Sequence, residues 1–364
     1  MSADRHPGRR VIRNRPYRLA RAVLILVVLV AVISLVVAEG FSGGHGNPAA
    51  GSSTGPSTQP STTTTAPPPT YVVPGSAKGV SLYQVDSYST TYSEPGTSLC
   101  VPSGSGQSCG PRVIRIGAFY PALPSGSSPV PYRGYYRMPL VLFAPGYAMD
   151  YQNYMPLIDA MTSAGYVVVG VNFPRTSPPA AGGLDEADIL HQPGDISAAI
   201  SWALAANNTS SSPLYELIDP SEIAITGQSD GGDTVLATAY NTCCRDSRPK
   251  AVVVFSGAEL PTYPGSYFPA GVSVPMLVVQ GSADTVNPPA ASQQIYAQAP
   301  SPKYLLWLQG ADHWVAYTQT SNYEAVVATV TVDFLNGYLK GDAQALSSMA
   351  PAGNITGLST LQSG

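Results

Sequence analysis

Gly227-Gln228-Ser229-Asp230-Gly231 reads G-x-S-x-G. In that setting a serine sits on a sharp strand-to-helix turn, and glycines let neighbouring backbone pass closely. The pattern alone carries little, because Gly40–Gly44, Gly51–Gly55 and Gly106–Gly110 fit it too in a chain with 35 glycines. Context separates them. Only Ser229 follows an apolar run, Ile223-Ala224-Ile225-Thr226, and opens a stretch with helical character, Asp230–Tyr240. Ser42 and Ser53 lie in low-complexity sequence, and Ser108 stands beside Cys109. Ser229 is the candidate nucleophile.

A serine hydroxyl needs a base to take its proton. The four histidines are His6, His45, His191 and His313. The first two precede the folded block, and His191 stands in Leu190-His191-Gln192-Pro193 just before a helical pattern. His313, in Gly310-Ala311-Asp312-His313-Trp314, follows the last apolar strand and is the candidate base. Its imidazole needs a carboxylate to fix the tautomer and stabilise the imidazolium. Asp284 follows the apolar run Met276–Gln280 and completes the chain order Ser, Asp, His. Asp312 is the rival, but it adjoins His313. Asp230 and Asp233 fall in a first helical turn, where the dipole alone favours acids.

A developing oxyanion needs two preorganised N–H donors. One is expected from Asp230, directly after the nucleophile, provided its carboxylate points away. The other is expected from Tyr147 in Pro145-Gly146-Tyr147, after the run Leu140-Val141-Leu142-Phe143. No metal or organic cofactor is implied by this chemistry.

The elements that must hold these residues read as short apolar runs alternating with amphipathic stretches. Strands are expected at Val80–Tyr88, Arg112–Tyr120, Leu140–Phe143, Tyr166–Val171, Ile223–Thr226, Ala251–Phe255, Met276–Gln280 and Tyr304–Leu308. Helices are expected at Tyr154–Ala164, Asp195–Ala206, Asp230–Tyr240, and about 289–298 and 322–339. Continuous Val/Ile/Leu runs separated by helices indicate a parallel sheet covered on both faces. The first two strands lack an intervening helix, so that edge should be antiparallel. A TIM barrel would need alternation from the start.

Charged residues make up 11% of the 364, against about 25% in an average domain. Seven arginines stand in the first 21 positions, and beyond residue 40 there are 20 acids against 11 bases. That balance excludes a phosphate-backbone binder. The arginines precede an uncharged run, Ala22–Ala38, which as a helix covers roughly 25 Å and reads as a signal anchor with the N-terminus inside. Cleavage near Ala38 and secretion is the alternative. Residues 39–70, Gly/Ser/Thr/Pro-rich, read as a disordered tether. The folded block is expected at 71–340, with a flexible tail at 341–364. Export favours disulfides. Among the possible pairings of Cys100, Cys109, Cys243 and Cys244, Cys100–Cys109 around a Gly/Ser loop is preferred.

These residues resemble the α/β-hydrolase superfamily, and look most like its branch of dienelactone-hydrolase-like esterases, cutinases and poly(ethylene terephthalate) hydrolases. The resemblance covers about 110–340. It is carried by Arg112–Pro121, Phe143-Ala144-Pro145-Gly146-Tyr147, Gly227–Gly232, Gly281–Asp284 and Gly310–His313. It implies an α/β-hydrolase fold with a mostly parallel eight-stranded sheet, helices on both faces and no large lid. It also implies hydrolysis of a small-molecule, lipid or polymer ester through an acyl-enzyme, outside the cell. Tyr147, Trp314 and Gln228 are the candidates for the cleft wall. Gln228 and Asp230 stand where polyester-cleaving members carry His or Trp, and Met, so the substrate class does not carry across. A cell-surface acyltransferase and a catalytically silent envelope-binding protein are the competing readings.

Overall fold

The computed structural model describes residues 83–123, 130–134 and 136–364. The basic segment, the expected span at 22–38 and the tether lie outside the described residues. Among the described residues, no helix is long and apolar enough to cross a membrane.

Six strands form the parallel heart of one sheet: β6 (Met138–Ala144), β7 (Val167–Asn172), β8 (Ile218–Gln228), β9 (Ala251–Phe255), β10 (Met276–Gly281) and β11 (Lys303–Leu308). Their spatial order is β7-β6-β8-β9-β10-β11. They are apolar along their length because both faces are covered. Alternate residues feed opposite cores, with Leu140, Leu142, Ile223 and Ile225 on one side and Val141, Phe143, Ala224 and Phe255 on the other. Three helices pack their apolar residues into the first core: α2 (Gln192–Asn207), α3 (Asp230–Tyr240) and α4 (Pro289–Gln298). The second core takes α1 (Met155–Ser163), α5 (Asn322–Leu339) and α6 (Ala343–Gly353).

Antiparallel strands extend both edges. β4 (Ile114–Leu123) pairs with β7, and β1 (Gln84–Tyr92) pairs with β4, as the missing helix between them required. The short β5 (Val130–Pro131) also joins β4, and β12 (Ser359–Ser363) closes the far edge against β11. Among the described residues the sheet therefore has ten strands rather than the expected eight. Cys100 and Cys109 face each other across a separate hairpin, β2 (Ser98–Ser103) and β3 (Gly106–Pro111), and are bonded as expected; Cys243 and Cys244 are bonded as well.

The expected flexible tail at 341–364 is corrected. Asp342 caps α6 by accepting from the amides of Gln344 and Ala345, Met349 is buried, and β12 pairs with β11 along its length. Residues 256–275, between β9 and β10, form neither helix nor strand, so no inserted lid stands there.

The order β7-β6-β8 matters for function. The chain leaves β6 toward one side for β7 and then crosses back to place β8 on the other, making a topological switch point. Ligands of open α/β sheets sit outside the carboxyl ends of the strands at such a point. The turns after β6 and β8 both open there.

One buried acid gives the fold a pH signature. Asp333 on α5 is buried, and its Oδ2 has no hydrogen-bond partner among the described residues. Burial, and then the charge of Asp342, push its carboxyl from 3.8 up to about 7. The folded protein holds this proton more tightly than the unfolded chain. The associated stability is therefore present below about pH 4 and lost as pH rises through about 7. Asp333→Asn should match the wild type in thermal midpoint near pH 4 and exceed it near pH 8, by about 2–4 °C for each kcal/mol. An advantage of equal size at both pH values in a melting series would contradict this assignment.

Candidate active site

Ser229 occupies the turn between β8 and α3 with φ 58 and ψ −124. A non-glycine residue held there stores on the order of 1–3 kcal/mol of strain and needs its surroundings to impose it. Two hydrogen bonds do so, from the Ser229 amide to the Phe255 carbonyl (3.0 Å) and from the Asp233 amide to the Ser229 carbonyl (2.9 Å). The flanking glycines allow the backbones to close up. A Cβ on Gly227 would lie 2.2 Å from the Gly231 carbonyl oxygen, and one on Gly231 would lie 2.1 Å from that of Ala144.

Of the three decoy serines, the one among the described residues has no such setting. Ser108 is an exposed residue of the β3 strand, and Ser42 and Ser53 lie outside the described residues.

Asp284 and His313 meet from the turns after β10 and β11, with His313 Nδ1 2.8 Å from Asp284 Oδ2. Both are buried. Asp284 Oδ1 accepts from the Val286 and Asn287 amides, each at 2.9 Å, and Oδ2 accepts from Gln280 Nε2 at 3.2 Å. Surrounded by donors, this carboxylate acts as an acceptor, so Nδ1 carries the proton and Nε2 presents its lone pair. The rival Asp312 is spent on its own turn, accepting from the amides of Trp314 (2.9 Å) and Val315 (2.8 Å). His191 lies largely exposed beside Asp188, at 3.3 Å.

Nε2 meets the side-chain amide of Gln228 at 3.1 Å. Among the described residues, no hydrogen bond joins Ser229 Oγ to His313. Such contacts are often long before substrate binds. Gln228, expected at the cleft wall, is corrected: it is 1% exposed and turned inward. Its neighbour Tyr154 was missed altogether. Eight residues beyond Gly146 in an apolar stretch, it looks like an ordinary core aromatic, and its ring does pack on Phe143. Its hydroxyl, however, donates to Gln228 Oε1 at 2.7 Å.

The turn after β6 is equally fixed. The Gly146 amide donates to Tyr154 Oη (3.2 Å) and the Ala148 amide to the Thr176 carbonyl (2.8 Å), which orients the Tyr147 peptide between them. A Cβ on Gly146 would lie 3.1 Å from that of Ser229. Asp230 is the first residue of α3, and helix-start amides have no partner within the helix. Its side chain is buried rather than solvated. Burial, and then the charges of Glu186, Asp230 and Asp185, push the Tyr147 phenol up, with Arg175 opposing. Trp314 is half-buried and stands edge-on to the His313 ring, with centroids 5.1 Å apart.

A buried polar cluster on the elements flanking the site was also missed. Arg112, expected at the start of a strand, instead precedes β4 and is buried between Asp188 and Asp195. Four hydrogen bonds of 2.6–2.9 Å join them. Burial pushes Asp195 up to about 6 even against its pairing with Arg112. From the same helix start, Gln192 donates to Thr176 (2.7 Å) and accepts from Thr234 of α3 (2.6 Å). These bonds tie the segment before α2 to the elbow helix.

Gly231→Ala forces a methyl group into the Ala144 carbonyl, where only backbone could give way. It should cost about 1–3 kcal/mol, read as a lowered urea midpoint at unchanged slope. An unchanged midpoint would mean that close approach does not constrain the elbow.

No curated protein matches this chain. The family model described as PETase, PET hydrolase-like, matches residues 127–359. That region takes in the turn after β6, the elbow and the Asp284 and His313 turns, and it is more than half of the sequence. The chain therefore belongs to the PET hydrolase-like family, in the cutinase branch of the α/β-hydrolases, and is a carboxylic ester hydrolase by family.

Proposed function

We propose that the protein is a serine esterase working through Ser229, His313 and Asp284 by way of an acyl-enzyme. The observation that carries this reading is the bond from His313 Nδ1 to a donor-surrounded Asp284, on the turns next to a serine held at φ 58. His313 Nε2 takes the Ser229 proton as Oγ attacks the ester carbonyl. The amides of Tyr147 and Asp230 stabilise the oxyanion of the tetrahedral intermediate. Collapse returns the proton to the leaving alcohol and leaves the acyl group on Ser229. Water, deprotonated by the same imidazole, then releases the acid.

Tyr147 and Trp314 would wall the cleft on opposite sides of the nucleophile. The arginine-flanked run 22–38 supports a membrane-anchored enzyme with its catalytic domain outside the cell.

With p-nitrophenyl esters of increasing chain length, Ser229→Ala should lose roughly 10⁴–10⁶-fold in kcat. It should also no longer label with a fluorophosphonate. A folded wild type that neither turns over nor labels would remove the esterase reading and leave the tethered binding protein. The full chain should sediment with membranes and resist extraction by high salt, whereas release into the medium would mean cleavage near Ala38.

A further inference from the structure

Resting on the esterase reading, we propose that Tyr154 and Gln228 form a positioning relay that locks the oxyanion turn and the general base into one register. The hydrogen bonds run in one direction. The Gly146 N–H donates to Tyr154 Oη at 3.2 Å, and the Tyr154 hydroxyl donates to Gln228 Oε1 at 2.7 Å. Gln228 Nε2 then donates to the His313 carbonyl at 3.0 Å and meets His313 Nε2 at 3.1 Å.

Each orientation in this chain is forced. A backbone carbonyl can only accept, so the atom of Gln228 facing His313 O must be the amide nitrogen. Its other end must then be the oxygen. Tyr154 Oη already accepts from Gly146, so its hydrogen is free to go to Oε1. At the far end, Asp284 fixes the proton of His313 on Nδ1, which leaves Nε2 able to accept. Tyr154, Gln228 and His313 are 0%, 1% and 3% exposed. In so dry a place, an unmet polar group would carry its full desolvation cost.

The functional consequence follows from what the relay connects. Gly146 adjoins Tyr147, whose amide is to hold the oxyanion, and His313 is to move the proton. The two groups lie on turns after β6 and β11, at opposite sides of the elbow, and Gln228 is the residue immediately before the nucleophile. A shift of either turn is therefore felt by the other. When the Ser229 hydroxyl engages Nε2, it replaces one amide hydrogen of Gln228. The second stays on the His313 carbonyl and keeps the ring in place. Gln228 and Tyr154 thus act through His313 and Gly146 without touching substrate.

The test uses the full chain in detergent, with p-nitrophenyl butyrate turnover and the rate of fluorophosphonate labelling as readouts. Gln228→Glu keeps the shape and the bond from Tyr154 but replaces the donor with an acceptor, and Gln228→Leu removes both bonds. Each should lower kcat by about 10- to 100-fold, the scale of a slight misplacement of reacting groups, with KM within about twofold of wild type. Tyr154→Phe should lower kcat less, and in the double variant with Gln228→Leu it should add nothing, because both cut the same chain.

Multiplicative losses in the double variant would overturn the relay. So would a Gln228→Glu enzyme with wild-type kcat, or changes confined to KM. Gln228→Glu and Tyr154→Phe preserve side-chain volume, so the test stands even where Gln228→Leu fails to fold. Loss of wild-type labelling together with Ser229→Ala insensitivity is a different result, and it would remove the esterase reading beneath the relay.

Discussion

The site depends on how closely three stretches of backbone approach one another at the end of β8. Gly227, Gly231 and Ala144 are in contact through main-chain atoms, at separations no side chain would permit. This contact is what lets α3 start immediately after β8 and forces Ser229 to φ 58. The serine sits at the turn itself, only 9% exposed, and the helix start places the Asp230 amide directly after it. The contact also brings the turn after β6 to within touching distance of Ser229. The proposed nucleophile and both expected oxyanion donors therefore share one origin in packing.

Charge is the second organising factor. The chain is acidic beyond its N-terminus, and several carboxylates are buried near the switch point. Asp284 is met by four donors, two of them main-chain amides. Asp188 and Asp195 share Arg112, whose own charge is held firmly because the bonds to both carboxylates outweigh its burial. Removing one member of such a buried group leaves an uncompensated charge, which is why these clusters act as fixed props. Arg112 anchors the start of α2 to the start of β4, and Gln192 and Thr234 carry that anchorage to the elbow helix.

Much of this was legible in the sequence, for identifiable reasons. Strands buried on both faces read as unbroken Val/Ile/Leu runs, so β6, β7, β9 and β10 were found within a residue or two. Ser229 stood out from its decoys because an apolar run precedes it and a helix follows. Asp284 and His313 could be picked as candidates because each follows a strand, and the structure pairs them. The tail was misread because α6 is short, poor in periodic apolar residues and carries Pro351 near its end, and because β12, Ser-Thr-Leu-Gln-Ser, is a polar edge strand. Its order comes from pairing with β11, which no local pattern announces. Gln228 and Tyr154 escaped for the same physical reason. Their defining bonds join residues 74 and 85 positions apart, and a buried tyrosine or glutamine gives no local sign of its partner.

The inward turn of Gln228 also bears on specificity. In an enzyme whose elbow residue is a large aromatic, the nucleophile's own turn can supply a wall of the cleft. Here that position is spent on holding His313, so the elbow offers substrate little more than Ser229 and the amide of Asp230. On the esterase reading proposed above, recognition would then pass to the two half-buried aromatics on neighbouring turns, Tyr147 after β6 and Trp314 after β11. Of these, Tyr147 sits in the field of Glu186, Asp230 and Asp185, three acids that the single opposing charge of Arg175 offsets only in part. A negatively charged acyl group would be opposed on that side, and a neutral one would not. On the same reading, the chemistry would be set by buried, mutually bonded residues. The choice of ester would rest on turn residues outside that bonded set.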